Sequence, residues 1–83
     1  MYRLIISPRA QKHFKDIKKE NQEAVRMAIE DIKEDPLIGK PLSRELTEKF
    51  SYRIGVYRIL YKVNQQDKIV TILSARHRGI AYN

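Results

Sequence analysis

The chain has 83 residues, 17 Lys and Arg against 10 Asp and Glu, a formal net charge of +7 and no cysteine. A single domain of this length buries only roughly 60–65% of the surface its unfolded chain exposes, which leaves a thin core and excludes a deep substrate pocket. The lack of thiols excludes a disulfide scaffold and a thiolate metal site. The two histidines, His13 and His77, stand far apart without carboxylates at ligand spacing. No apolar run approaches the ~20 residues that span a bilayer. The expectation is one soluble, cytoplasmic domain over residues 1–83, with no cofactor, no metal and no membrane partner.

Residues 2–6 (YRLII) read as a short strand with Leu4 and Ile6 on one face. Ser7-Pro8 is a helix start, serine as N-cap and proline in the first helical position. That helix is predicted to run to about Glu20, with Ala10, Phe14 and Ile17 on its apolar stripe and Lys12, Lys15, Lys18 and Lys19 on the other faces. Asn21 is read as the cap of a second helix ending near Glu34, where Val25, Ala28, Ile29 and Ile32 follow i, i+3, i+4, i+7 spacing. Asp35-Pro36 ends it, because the residue before proline is pushed out of the α region. Residues 36–49 form the one long irregular segment, with Leu37, Leu42 and Leu46 as anchors to the core.

Three closely spaced strands follow. Gly55-Val56 forms the first hairpin tip, with glycine where a type II′ turn needs positive φ, and residues 64–68 form the second turn. Alternation sets Tyr57, Ile59, Tyr61 and Val63 against Arg58, Leu60 and Lys62. Carried through the last strand, it sets Ile69, Thr71, Leu73 and Ala75 against Val70, Ile72, Ser74 and Arg76. Tyr57 and Tyr61 are read as core. The order β-α-α-β-β-β is an α+β fold: a helical hairpin packed on one face of a small, mostly antiparallel sheet.

Charge is unevenly placed along this order. Residues 1–49 carry 11 Lys and Arg against 9 Asp and Glu, whereas residues 50–83 carry 6 against Asp67 alone. Solubility is served by interspersed signs; a field of one sign on a small sheet points instead to nucleic acid or an acidic protein. Arg53, Arg58, Arg76 and Arg78 recur near strand ends and converge on one sheet edge if those strands are neighbours.

Lys40-Pro41-Leu42, Leu46, the run YRIGVYRILY at residues 52–61, and ILSARHR at residues 72–78 with a terminal Tyr82 resemble toxins of the RelE/ParE superfamily. The resemblance covers nearly the whole chain and implies the toxin half of a type II toxin–antitoxin pair. It implies an acidic cognate antitoxin that folds on binding, and a toxin–antitoxin hetero-oligomer. RelE-type members cut mRNA in the ribosomal A site; ParE-type members poison DNA gyrase. The short stretch beyond the last predicted strand favours the RelE type. Arg53 matches the family's basic residue before the hairpin turn, and Arg58 the arginine of its Gly-Tyr-Arg motif. Arg76 or Arg78 matches the arginine near the end of the last strand, and Tyr82 the terminal tyrosine. Gly55 stands where some RelE toxins place a second catalytic lysine, and Val56 where glycine or aspartate is more usual.

Metal-free RNA cleavage by a 2′-hydroxyl needs the nucleophile aligned, its proton accepted, the phosphorane charge stabilised and the leaving 5′-oxygen protonated. Arginine suits the third task, since its planar fork meets phosphate oxygens bidentately and stays charged. On this reading Arg58 and Arg76 or Arg78 clamp the scissile phosphate, Arg53 contacts the backbone and Tyr82 stacks on a base. His77 is the proton-transfer candidate by intrinsic pKa; a structural place at the strand end is its other reading. Lys12, Lys15, Lys18, Lys19 and Lys62 are candidate contacts to RNA phosphates of the ribosome. A gyrase inhibitor of the ParE kind, or a homologue acting only as a binding module, are the alternatives.

Overall fold

The computed structural model of the chain describes residues 1–42, 49–77 and 79. Its first strand, β1 (Arg3–Ile6), turns Leu4 and Ile6 toward the core and leaves Arg3 and Ile5 in solvent. Ser7 ends the strand and caps α1 (Pro8–Asp16), its hydroxyl accepting the Ala10 N–H at 3.1 Å. The helix stops at Asp16, short of the expected Glu20. Ile17 leaves helical geometry (φ −73°, ψ 131°) and buries its side chain, while Gln22 Nε2 donates to its carbonyl at 3.1 Å.

Lys18, not Asn21, is therefore the N-cap of α2 (Lys19–Glu34), and Asn21 lies in the first turn with its N–H on the Lys18 carbonyl. Lys18 makes no side-chain capping bond. Burial of Ile17 fixes the break; cap chemistry does not. Val25, Ala28, Ile29 and Ile32 are buried along one stripe of α2, and Asp35 closes it before Pro36.

The stretch expected to be irregular holds a 3₁₀ turn (Pro36–Ile38) and a two-residue strand, β2 (Lys40–Pro41). Leu37 and Leu42 are exposed rather than anchoring, and Pro36 is the buried residue of the turn; Leu46 lies outside the described residues. β3 (Lys49–Ile54), β4 (Tyr57–Asn64) and β5 (Ile69–His77) complete a five-stranded sheet in the order β1-β5-β4-β3-β2. Among the described residues only the β1–β5 pairing is parallel. Gly55 joins β3 to β4 at φ +57°, the backbone region that glycine enters without strain. The helices cover one face, where Tyr57, Ile59, Tyr61 and Val63 of β4 meet Val70 and Ile72 of β5. Among the described residues, the opposite, outer face carries no helix.

Tyr61 ties the 3₁₀ turn to the sheet. It is fully buried, its hydroxyl donates to the Pro36 carbonyl at 2.7 Å and accepts the Gly39 N–H at 2.9 Å, and its ring stacks on Phe50. Gly39 sits so close that a Cβ there would run into the Tyr61 hydroxyl and the Ser51 carbonyl. This clamp delivers Lys40 to β3 and builds one wall of the groove described below. Burial, partly opposed by the Gly39 hydrogen bond, pushes the Tyr61 hydroxyl up to about 12.

Tyr61→Phe strands a buried N–H and a buried carbonyl, so it is expected to cost about 1–3 kcal/mol in urea unfolding. The unfolded tyrosine ionises near pH 10 while the folded one stays neutral. Wild-type stability is thus held below pH 10 and lost as pH climbs toward 12, and the variant should lack that share of the alkaline loss. Equal stability of the two proteins at pH 7 would remove Tyr61 as the clamp.

Candidate nucleic-acid interface

The outer face is built from whichever strand residues alternate away from the helices. In β3 these are Lys49, Ser51 and Arg53; in β4 they are Arg58, Leu60 and Lys62. Lys40 of β2 joins them through its pairing with Ser51. None of the five strands contains an Asp or Glu. The positive field of this face therefore has no counter-charge within its own strands.

Uninterrupted alternation in β5 would put Arg76 on the core side with Val70 and Ile72. The structure corrects this. Tyr61 pairs with Ile72, but its neighbour Leu60 pairs with Ser74, so Leu73 is an extra residue opposite no partner. Such a bulge reverses the phase of everything after it. Ala75 now points inward opposite Ile59 and is buried, and Arg76 turns outward opposite Arg58.

Arg53, Arg58 and Arg76 consequently occupy one row across three adjacent strands. With strands about 4.8 Å apart, the row is about 10 Å wide, which brings three guanidinium groups within reach of one phosphate. Arg53 is exposed, while Arg58 and Arg76 are half-buried. Beside the row lies a shallow groove of ≈ 550 Å³ lined by Ile38, Lys40, Leu42, Ser51, Arg53 and Arg58.

His77 follows Arg76 by one residue and therefore falls on the other side of the strand, opposite Tyr57. Its ring meets Tyr57 edge-on with centroids 5.9 Å apart, and its Nδ1 accepts the Gly79 N–H at 3.1 Å. Lys62 shares the arginine face, in a row with Lys49. Lys12, Lys15, Lys18 and Lys19 are exposed in the helical layer, away from the arginine row. Arg78 and Tyr82 lie outside the described residues.

Sequence reasoning missed Lys40, Lys49 and Ser51. Lys40 belongs to a strand of two residues that includes a proline, tolerated there because β2 is an edge. The run from Lys49 continues the alternation of β3 by one residue, and that signal was available in the sequence.

The family profile described as "ParE toxin of type II toxin-antitoxin system, parDE" matches residues 4–82. Toxin RelG of Mycobacterium tuberculosis (strain ATCC 25618 / H37Rv) is 44% identical over 59 residues, 70% of this chain and 68% of that protein. Among solved structures, the toxin–antitoxin complex RelBE2 from Mycobacterium tuberculosis superposes with a TM-score of 0.80 at 35% identity, covering 93% of this chain and 98% of that one. The intact E. coli RelBE toxin–antitoxin complex gives a TM-score of 0.80 at 20% identity, each chain covered in full, a likeness of fold. A basic sheet face opposite a helical hairpin, a profile match over almost the whole length and a 44% identical relative make this chain a member of the RelE/ParE superfamily, the toxins of type II toxin–antitoxin systems.

Proposed function

We propose that this toxin is a ribosome-dependent endoribonuclease that cuts mRNA by attack of a 2′-hydroxyl on the adjacent phosphate, needing no metal, and so arrests translation in the cytoplasm. The observation that supports it most directly is the Arg53–Arg58–Arg76 row on a face whose strands carry no carboxylate. In the reaction the 2′-oxygen forms the new bond to phosphorus and the bond to the 5′-oxygen breaks. One proton leaves the 2′-hydroxyl and one reaches the 5′-oxygen. The phosphorane between those events carries one more negative charge than the phosphodiester. Arginines can meet that charge bidentately through their N–H donors.

In this reading Arg58, central in the row, and Arg76 grip the non-bridging oxygens, and Arg53 holds the neighbouring backbone. Arg78 adds a further contact and Tyr82 stacks on a base. His77 stands on the other side of β5 from this row, so its part as proton carrier requires the RNA to reach round the strand end to Nε2, Nδ1 being engaged by Gly79. Lys62 follows the RNA strand along the same face. Lys12, Lys15, Lys18 and Lys19 meet ribosomal RNA from the helical side. The ribosome aligns the mRNA, which lets an open groove serve where a self-sufficient enzyme would need a pocket. An acidic antitoxin neutralises the same face in a hetero-oligomer; the related RelBE2 protein was itself solved as a toxin–antitoxin complex.

The ParE description of the matching family profile favours one second reading, inhibition of DNA gyrase. Purified toxin added to programmed ribosomes should give cuts in A-site codons, and added to gyrase with supercoiled plasmid should trap no cleaved DNA. The reverse pattern would establish the gyrase reading. A folded chain with neither effect would be a binding module without activity.

Arg58→Ala is expected to lower the cleavage rate by about 10²–10³-fold with an unchanged circular-dichroism spectrum; undiminished cutting would take Arg58 out of the mechanism. His77→Ala should slow cleavage by about 10²-fold if the residue carries a proton in the reaction. An unchanged rate would leave His77 as a packing partner of Tyr57.

A further inference from the structure

The parallel ladder between β1 and β5 ends at the Ile6–Ile72 pair, because Ser7 turns the chain into α1. From Leu73 onward, the edge of β5 that faced β1 has no strand beside it among the described residues. This is the half of β5 that follows the bulge and carries Arg76. Ser7, the cap of α1, and His13 within the helix supply partners in order. The Ser7 N–H donates to the Ile72 carbonyl at 3.0 Å, the Ser7 hydroxyl donates to the Leu73 carbonyl at 3.1 Å, and His13 Nδ1 accepts the Ala75 N–H at 3.3 Å. Serine thus bonds the inserted residue, and histidine bonds the residue next to Arg76.

We propose that His13 is the positioning residue for Arg76: by accepting the Ala75 N–H from a helix where β1 no longer runs, it fixes the reversed end of β5 and with it the outward direction of the guanidinium. The inference rests on the reading of Arg76 as a phosphate ligand, and it adds a second element to the site, α1, which touches no RNA phosphate there. Accepting a bond at Nδ1 requires the neutral imidazole with its proton on Nε2. Burial, then the charges of Arg76 on β5 and Arg9 on α1, hold the His13 pKa below its ordinary value, against a smaller upward pull from Asp16. The tie is therefore closed at neutral pH. The unfolded chain takes up this proton at a higher pH than the folded one, so the stabilisation is complete above pH 6.5 and is lost as pH falls below it. Protonation both removes the acceptor and sets an imidazolium against Arg76.

The test compares wild type with His13→Ala and His13→Asn, because the asparagine oxygen can occupy the Nδ1 position without titrating. Three readouts are used: exchange of the Ala75 amide, the heteronuclear NOE of the Arg76 Nε–H, and the pH dependence of mRNA cleavage on ribosomes. His13→Ala is expected to speed Ala75 exchange and lower kcat, each by about tenfold, with KM little changed and the Arg76 Nε–H more mobile. His13→Asn is expected to restore Ala75 protection, Arg76 order and kcat at neutral pH, and to lack the part of the acid-side loss that wild type shows below pH 6.5. Ala75 protection and Arg76 order unchanged in His13→Ala would overturn the proposal. So would failure of His13→Asn to recover them in a chain that melts like wild type. If the wild-type chain does not cut mRNA, the nuclease reading falls, and the exchange and NOE measurements still decide what His13 does.

Discussion

One residue inserted into β5 at Leu73 decides which side of the sheet the arginine at its end faces. A strand has a side-chain period of two, so an extra residue exchanges the faces of every position that follows it. Before the bulge, Val70 and Ile72 pack under the helices; after it, Ala75 takes the inward place and Arg76 the outward one. The same insertion lets a small side chain, rather than a guanidinium, meet α1. Core and candidate site are thus settled by a single irregularity, bracketed by two polar side chains of α1 and its cap, Ser7 and His13.

The two faces of the sheet do opposite work. Helical periodicity places the apolar stripe of α2 and the Ala10–Ile17 side of α1 on the inner face, which supplies the stability of a thin core. The outer face receives lysines and arginines with no acidic strand residue among them. Like charges placed opposite one another in a sheet are destabilising, and at about 4 Å each pair costs about 1 kcal/mol where water screens it. A row such as Arg53–Arg58–Arg76 is tolerable for folding but favours an anion across it, whether RNA phosphate or antitoxin carboxylate. The clamp of Tyr61 on Pro36 and Gly39 then closes one side of the groove without using any residue of the row.

Much of this was legible in the sequence because it follows from local rules. The Ser7-Pro8 start, the Asp35-Pro36 stop, the α2 stripe and the β4 alternation each have a mechanism confined to a few residues. The misreadings came where a distant contact prevailed. Asn21 has the chemistry of a cap, yet burial of Ile17 moved the helix start to Lys19. Lys40 enters β2 through a hydroxyl 21 residues away in sequence, itself set by the Tyr61 bonds to Pro36 and Gly39. The Leu73 bulge carries no glycine or other mark, and ordinary alternation would have hidden Arg76 in the core. His13 drew no functional reading, because its partner is a backbone amide 62 residues further on.

The most direct measurement of the central claim follows the arginine Nε–H resonances of the full chain while inorganic phosphate is added. If Arg53, Arg58 and Arg76 form one anion site, their signals should move together along a single binding curve while those of Arg9 and Arg26 in the helical layer stay in place. Movement of Arg53 and Arg58 without Arg76, or three unrelated curves, would contradict the shared row and the role of the bulge in making it.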